Sequence, residues 1–178
     1  MPPDYFRHRA RSAAFSLVEV VIAVGIVALG VAVILALLPA LTRQATGSAD
    51  TLAVLRLPEP LRLELQRVAA VGGFDPLASQ TVAMASPLPA TLTVVASRDV
   101  TTVQTLTYLP PVSALPADAQ YFLIEIWSFG AAPLAYDPAG GGLALHARVS
   151  WPYRLPGAVT PTPLTDREQV TFNLGLRR

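Results

Sequence analysis

The sequence of 178 residues contains no cysteine and no lysine, and only 14% of its residues are charged. Without cysteine, the chain can form no disulfide framework, thiolate metal site or cysteine nucleophile. Soluble domains carry about 25% charged residues, so the composition is unusual for a protein surrounded by water. The formal net charge of +1 provides no basic face of the kind that nucleic-acid-binding proteins use.

Hydrophobic residues make up 52% of the chain, and the excess is concentrated near the N-terminus. Residues 15–41 are apolar apart from Ser16, Glu19, two glycines and Pro39. As a helix, the segment would extend about 40 Å, and a bilayer core is about 30 Å thick. The apolar core of a secretory signal is only about 7–15 residues long. We therefore predict a transmembrane helix over residues 15–41.

The flanking charges predict the orientation of this helix. Arg7, Arg9 and Arg11 precede it, whereas Arg43 is the only nearby basic residue after it. The positive-inside rule then keeps residues 1–14 in the cytoplasm and exports the remainder. We expect a single-pass inner-membrane protein with a periplasmic C-terminal part.

Glu19 lies within the apolar run, where a carboxylate costs about 2.5–3.5 kcal/mol on insertion scales. Two interpretations follow from the residue itself. Glu19 either lies near the headgroups and stays hydrated, or it has a partner or a function.

The segment RSAAFSLVEVVI, residues 11–22, resembles the prepilin-type cleavage and methylation segment of type IV pilins and type II secretion pseudopilins. The resemblance implies cleavage between Ala14 and Phe15 by a prepilin peptidase and N-methylation of Phe15. Glu19 becomes the fifth mature residue, and its implied partner is the terminal amine of Phe15 on an adjacent subunit. This pair would set the register of assembly. Ala14 departs from the family, which usually has glycine there, and Pro39 falls a few residues late.

The same resemblance implies further partners, namely other pilin or pseudopilin subunits and an inner-membrane assembly platform. Residues 68–78 (VAAVGGFDPLA) and 94–99 (VVASRD), together with the apolar run, are similar to the Verru_Chthon cassette protein B group of prepilin-like proteins.

Residues 42–73 predict a periplasmic helical segment that is broken at Pro58–Pro60, since proline restricts itself and the residue before it. After the break, Leu61, Leu65, Val68 and Ala69 form an apolar side, and Gly72-Gly73 supplies a stop. Before the break, a stripe of small and apolar residues would pack on a sheet or form a solvated linker; it consists of Ala45, Ala49, Leu52 and Ala53.

Residues 74–178 predict a β-rich head. We expect a loop over residues 74–90, followed by alternating or apolar runs typical of strands. These runs cover residues 92–96, 100–108, 121–129, 143–151 and 170–176. The predicted fold class is α+β, with a long N-terminal helix and a small, mostly antiparallel sheet that helices cover on one face, as in pilins.

The head offers little chemistry. We expect His146 at the surface and Asp137–Gly142 as a connection, because a strand and not a helix follows the glycines. Trp127, Trp151 and Tyr153 could form a recognition patch, although core roles are favoured. Four acidic residues lack the dense spacing of a calcium site; they are Asp118, Asp137, Asp166 and Glu168. We therefore expect no enzyme activity, metal or cofactor.

The sequence thus favours a non-enzymatic minor pilin or pseudopilin subunit. Two alternatives stay open: a membrane-anchored periplasmic binding domain without a filament role, and a secreted domain that is cleaved near Ala49.

Overall fold

A computed structural model describes residues 16–84, 90–106, 115–158 and 160–178. The chain divides into two compact units, residues 1–47 and 48–178. Three α-helices come first: α1 (Leu17–Arg56), α2 (Pro58–Gly72) and α3 (Phe74–Gln80). Five strands follow, and they are β1 (Leu92–Ala96), β2 (Val103–Thr105), β3 (Phe122–Ser128), β4 (Gly142–Trp151) and β5 (Glu168–Arg177). Short 3₁₀ helices precede β3 and β5 at Ala117–Ala119 and Leu164–Asp166.

The first unit consists of the apolar part of α1, which continues through Pro39. Proline lacks the N–H that would bond the carbonyl of the preceding turn. One turn later, the Thr42 hydroxyl donates to the carbonyl oxygens of Leu38, at 2.8 Å, and of Pro39, at 3.1 Å. The helix continues past Pro39 to Arg56, although the carbonyl four residues before the proline loses its backbone donor.

The predicted break falls at Leu57, a single residue between α1 and α2. Pro58 and Pro60 lie in the first turn of α2, where a missing N–H leaves no carbonyl unsatisfied. At the other end, Gly73 has a φ of 95° and its N–H donates to Ala69 at 2.9 Å. The glycine stop is confirmed, because a side chain at this φ would be strained.

The predicted apolar side of α2 is confirmed, since Leu61, Leu65 and Val68 are fully buried and Ala69 packs against them in part. Of the two interpretations of the small-residue stripe of α1, packing holds only at Ala53, which is half-buried, and the other members fit a solvated linker. Leu52 is 57% exposed, and Ala45 and Ala49 are exposed as well.

The face of α1 that packs on the head instead carries Asp50 and Val54, and Leu57, whose backbone is still helical, continues this face just beyond α1. Their spacing of four and three residues places them on one side of the helix. The buried face of this helix thus contains the carboxylate of Asp50, whereas the prediction had only small and apolar side chains there.

The loop predicted over residues 74–90 is also corrected, because its first seven residues form α3. Phe74, Leu77 and Ala78 are buried at helical spacing. Pro76 is the third residue of this helix, a position whose N–H has no intrahelical acceptor in any case.

The strands form one antiparallel sheet in the order β2-β1-β3-β4-β5, so the apolar run of β3 is central as predicted. β2 is shorter than its predicted range, and residues 107 and 108 of that range lie outside the described residues. The α+β layout and the mostly antiparallel sheet are confirmed.

One face of the sheet holds the core, in which Phe122, Ile124 and Ile126 of β3 are fully buried. The core cluster also includes the buried residues of α2 and α3 and the alternate residues of β4 from Leu143 to Trp151. Helices therefore cover this face, as the alternation predicted.

Leu65→Ala provides a test of the α2 interface. Removing a fully buried leucine loses transfer free energy and leaves a cavity, so we expect the free energy of unfolding to fall by about 2–5 kcal/mol. Leu63→Ala is the matched control because Leu63 is 58% exposed, and its effect should stay within about 0.5 kcal/mol. Chemical unfolding of the full chain in detergent, followed by tryptophan fluorescence, measures both; equal effects would contradict this packing.

Candidate functional site

The first candidate site is the start of α1, where Ser16 and Glu19 bond reciprocally. The Ser16 hydroxyl accepts from the Glu19 N–H at 3.2 Å, and the Glu19 carboxylate accepts from the Ser16 N–H at 3.4 Å through Oε2. This is a capping box, in which side chains satisfy backbone donors that the first turn of a helix leaves free. Glu19 therefore has a local partner within its own chain.

The position of Glu19 also suits the charge of the helix. The N-terminal end of a helix carries a partial positive charge, which favours a carboxylate in the first turn. The sequence analysis missed this role, although serine followed three residues later by glutamate is a known signal for it. The predicted roles of Glu19 were a charge in an apolar run and a register residue for assembly.

The helix that follows has no cover from the described part of the protein. Its most apolar window has a mean hydropathy of 3.1 and none of that window is buried. Large apolar side chains such as Val24, Leu29 and Ile34 are each more than 60% exposed. By length and composition, α1 is long and apolar enough to cross a membrane.

The other predicted residues of this site lie outside the described residues. They are Arg7, Arg9 and Arg11 of the leader, and Ala14 and Phe15 at the predicted cut. Of the predicted site, the structure thus places Glu19 alone.

The described part of the head contains no cluster of potential metal ligands. Within the described ranges, no group of three or more histidine, aspartate or glutamate side chains could hold a metal ion. Asp118 and Asp166 lie in separate 3₁₀ helices, Asp137 in the turn before β4, and Glu168 at the start of β5.

His146 lies on the face of the sheet opposite the core, as expected. Its Nδ1 is 2.8 Å from Oδ1 of Asn173 on β5. Beside it, Arg148 bonds Glu125 at 2.7 Å and lies 5.0 Å from the ring centre of Trp127. These contacts link neighbouring strands across the outer face.

The aromatic residues named above do not share one surface. Trp151 belongs to the core, whereas Trp127 points to the opposite face and is 6% exposed. Tyr153 follows the end of β4 and has the guanidinium of Arg167 4.9 Å from its ring centre. The buried positions of Trp127 and Trp151 suit the packing roles that were favoured over a recognition patch.

An open cleft of ≈650 Å³ lies beside the ends of β4 and β5 and includes Arg62, Asp137 and Arg177. Its remaining lining is mainly glycine and apolar. Serine, threonine and histidine are absent from the cleft lining, so it brings no nucleophile next to a base.

The second candidate site is a polar cluster that the sequence analysis missed. The Asp50 carboxylate of α1 accepts from Arg98, which donates through Nε at 2.9 Å and through Nη2 at 3.2 Å. The Tyr121 hydroxyl donates to the same carboxylate at 2.6 Å. The Arg98 guanidinium also lies 4.9 Å from the ring centre of Tyr121. The cluster fastens the end of α1 to the β1–β2 turn and to the residue before β3.

Burial and the adjacent Asp50 carboxylate both raise the pKa of Tyr121 well above its usual value. Its hydroxyl therefore stays protonated and able to donate at neutral pH. The bond to Asp50 likewise raises the pKa of Arg98. Tyr121 and Arg98 therefore both keep their usual protonation state at neutral pH, as members of a structural cluster do.

Another ion pair lies at the C-terminus, where Arg178 donates to Asp75 at 2.9 Å. Tyr136 also donates to this carboxylate. The hydroxyl of Tyr136 and then the charge of Arg178 lower the pKa of Asp75. Both members of the ion pair are about half exposed, so solvent screens it.

No protein-family model, curated protein or solved structure matches this chain.

Asp50→Ala tests the polar cluster. The change leaves the Tyr121 hydroxyl and the Arg98 guanidinium without their acceptor, so we expect a loss of about 1–3 kcal/mol in the free energy of unfolding. Arg98 is half exposed, which keeps the loss below that of a fully buried pair. Arg178→Gln is the control, because it breaks a more exposed pair and should change stability little. Chemical unfolding measures the free energy of unfolding of both variants. An Asp50 variant as stable as the control would contradict the proposed role of the cluster in fastening α1.

Proposed function

We propose that this protein is a non-enzymatic minor pilin or pseudopilin subunit. A prepilin peptidase removes residues 1–14, and the apolar helix then holds the chain in the inner membrane until it enters a filament. The observation that carries the proposal is the first turn of α1. There, an uncovered apolar helix begins with Glu19 bonded to the backbone of Ser16.

This geometry gives Glu19 a defined task after cleavage. Cleavage before Phe15 creates a terminal amine one residue before Ser16. The N–H of Ser16 already donates a hydrogen bond to the Glu19 carboxylate. A charged amine beside a carboxylate offsets part of the cost of each in apolar surroundings. In the filament, Glu19 accepts from the Phe15 amine of an adjacent subunit, and this exchange of partner sets the axial register.

The head supports a role in assembly more than one in catalysis. It is a helix-covered antiparallel sheet, and its described carboxylates are dispersed or paired with arginine and tyrosine. We propose that the assembly partners are other pilin or pseudopilin subunits and an inner-membrane assembly platform, and that the head faces the periplasm.

The mature N-terminus tests the proposal. Co-expressed with a prepilin peptidase, the protein should have the intact mass of residues 15–178 plus one methyl group. Ala14→Gly restores the residue that the family usually has, and this variant should be processed at least as completely.

Two other masses would contradict the proposal. If wild type and Ala14→Gly both keep Met1, the protein is an anchored domain. A start near Ala49 would instead identify a secreted domain.

Glu19→Leu tests the register role. This variant should be processed and inserted, because leucine lowers the cost of insertion. Its recovery in sheared filaments should nevertheless fall at least about tenfold, which corresponds to a loss of ~1.4 kcal/mol for each added subunit. Ser16→Ala is the control, since it removes half of the capping box but keeps the carboxylate. Co-sedimentation with filaments measures both variants; normal assembly of Glu19→Leu would exclude the register pairing, and an equal loss in Ser16→Ala would assign the effect to capping.

A further inference from the structure

Strand β5 forms one edge of the sheet and has an unusually regular backbone. It pairs with β4 over ten consecutive residues, from Glu168 to Arg177, without a bulge. In the described part of the chain, no strand pairs with its other side. The backbone N–H and C=O groups on that side form a template for another strand.

This edge lacks the devices that usually protect an edge strand. Proteins block such edges with lysine, proline, a bulge or a charge in the middle of the strand. Between Gln169 and Leu176 the sequence is QVTFNLGL, with no charge and no proline. The charged residues lie at the two ends of β5, with Glu168 at its start and Arg177 at its finish.

The apolar layer of the core is also incomplete at this edge. Val170, Phe172 and Leu174 of β5 point to the helix-covered face but are only partly buried. Their direct partners on β4 are 0% exposed, and these are Val149, Ala147 and Leu145. A further strand at this edge would extend the apolar layer over these partly buried side chains.

We propose that β5 pairs antiparallel with β5 of a second copy of this chain, around a two-fold axis at Asn173. The two sheets then form one continuous ten-stranded sheet through a self-complementary interface. Antiparallel pairing keeps each residue on its own face, so Phe172 lies opposite Leu174 of the second copy. Val170 likewise lies opposite Leu176, which completes the apolar layer.

The charges select this register. With the axis at Asn173, Glu168 lies opposite Arg178 of the second copy, and the symmetry produces this pair twice. With the axis at Phe172, Arg167 would instead lie opposite Arg177, and like charges directly opposite each other are destabilising. Arg178 already donates to Asp75 but is half exposed, and a guanidinium has donors for a second carboxylate.

The pairing concerns the head alone and does not depend on the proposed filament role. Loss of processing at Phe15 would overturn that role and leave the edge pairing intact. Failure of the edge pairing would leave the assembly of α1 intact.

The absence of cysteine from the natural sequence makes a direct test possible. The full chain carrying Asn173→Cys, in detergent micelles, is treated with a bifunctional maleimide that spans less than two strand spacings, about 10 Å. Across the axis, directly opposed residues have Cβ atoms about 4.5–5.5 Å apart, so we expect a covalent dimer. Ala144→Cys is the control, because Ala144 lies on the same face of β4, and three strand spacings would separate its copies by roughly 14 Å.

The expected result is a dimer yield at least tenfold higher for Asn173→Cys than for Ala144→Cys. Because Asn173 contacts His146, a second pair of variants avoids that contact. Chains with Thr171→Cys, mixed with chains with Gly175→Cys, should cross-link to each other, and a Cβ at Gly175 meets no atom within 4 Å.

Two outcomes would overturn the proposal. Equal yields for Asn173→Cys and Ala144→Cys would show association through α1 or by random collision. Cross-linking of Thr171→Cys chains to one another, but not to Gly175→Cys chains, would exclude the register at Asn173.

Discussion

The constraint on which the rest of the structure depends is the uncovered surface of α1. The apolar side chains of residues 17–41 are exposed among the described residues, and leaving apolar surface in water costs about 25 cal/mol per Å². By length and composition, this helix is able to cross a membrane. The head, by contrast, buries its own core. The two parts of the chain therefore differ in how much of their apolar surface they bury themselves.

Much of the fold could be predicted, because periodicity reports which side of an element is buried. Alternating apolar and polar residues predicted β4 and β5, and the apolar run predicted β3. The glycine pair at residues 72–73 predicted the end of α2. Asp50 could not be predicted in the same way. A carboxylate on a buried face becomes stable only through Arg98 and Tyr121, which are 48 and 71 residues away along the chain.

Two other features were not predicted, for reasons that concern their local sequence. α3 was read as loop because Pro76 and its neighbours show little periodicity over seven residues, a length at which helix and loop signals are hard to separate. The signal for the capping box is present in the sequence, but the prediction treated its glutamate as a charge in the membrane and as an assembly residue. For the predicted site, the structure adds the local contacts of Glu19, whereas the cut and the leader depend on a resemblance in the sequence.

The joint between α1 and α2 constrains how the chain can vary. Leu57 is the only residue between the helices and is fully buried. One inserted residue within α2 would rotate the following positions by about 100°, because a helix has 3.6 residues per turn. Leu65 and Val68 would then leave the core. Length changes in descendants of this sequence should therefore accumulate in the connections of the head, and the length of α2 should stay fixed.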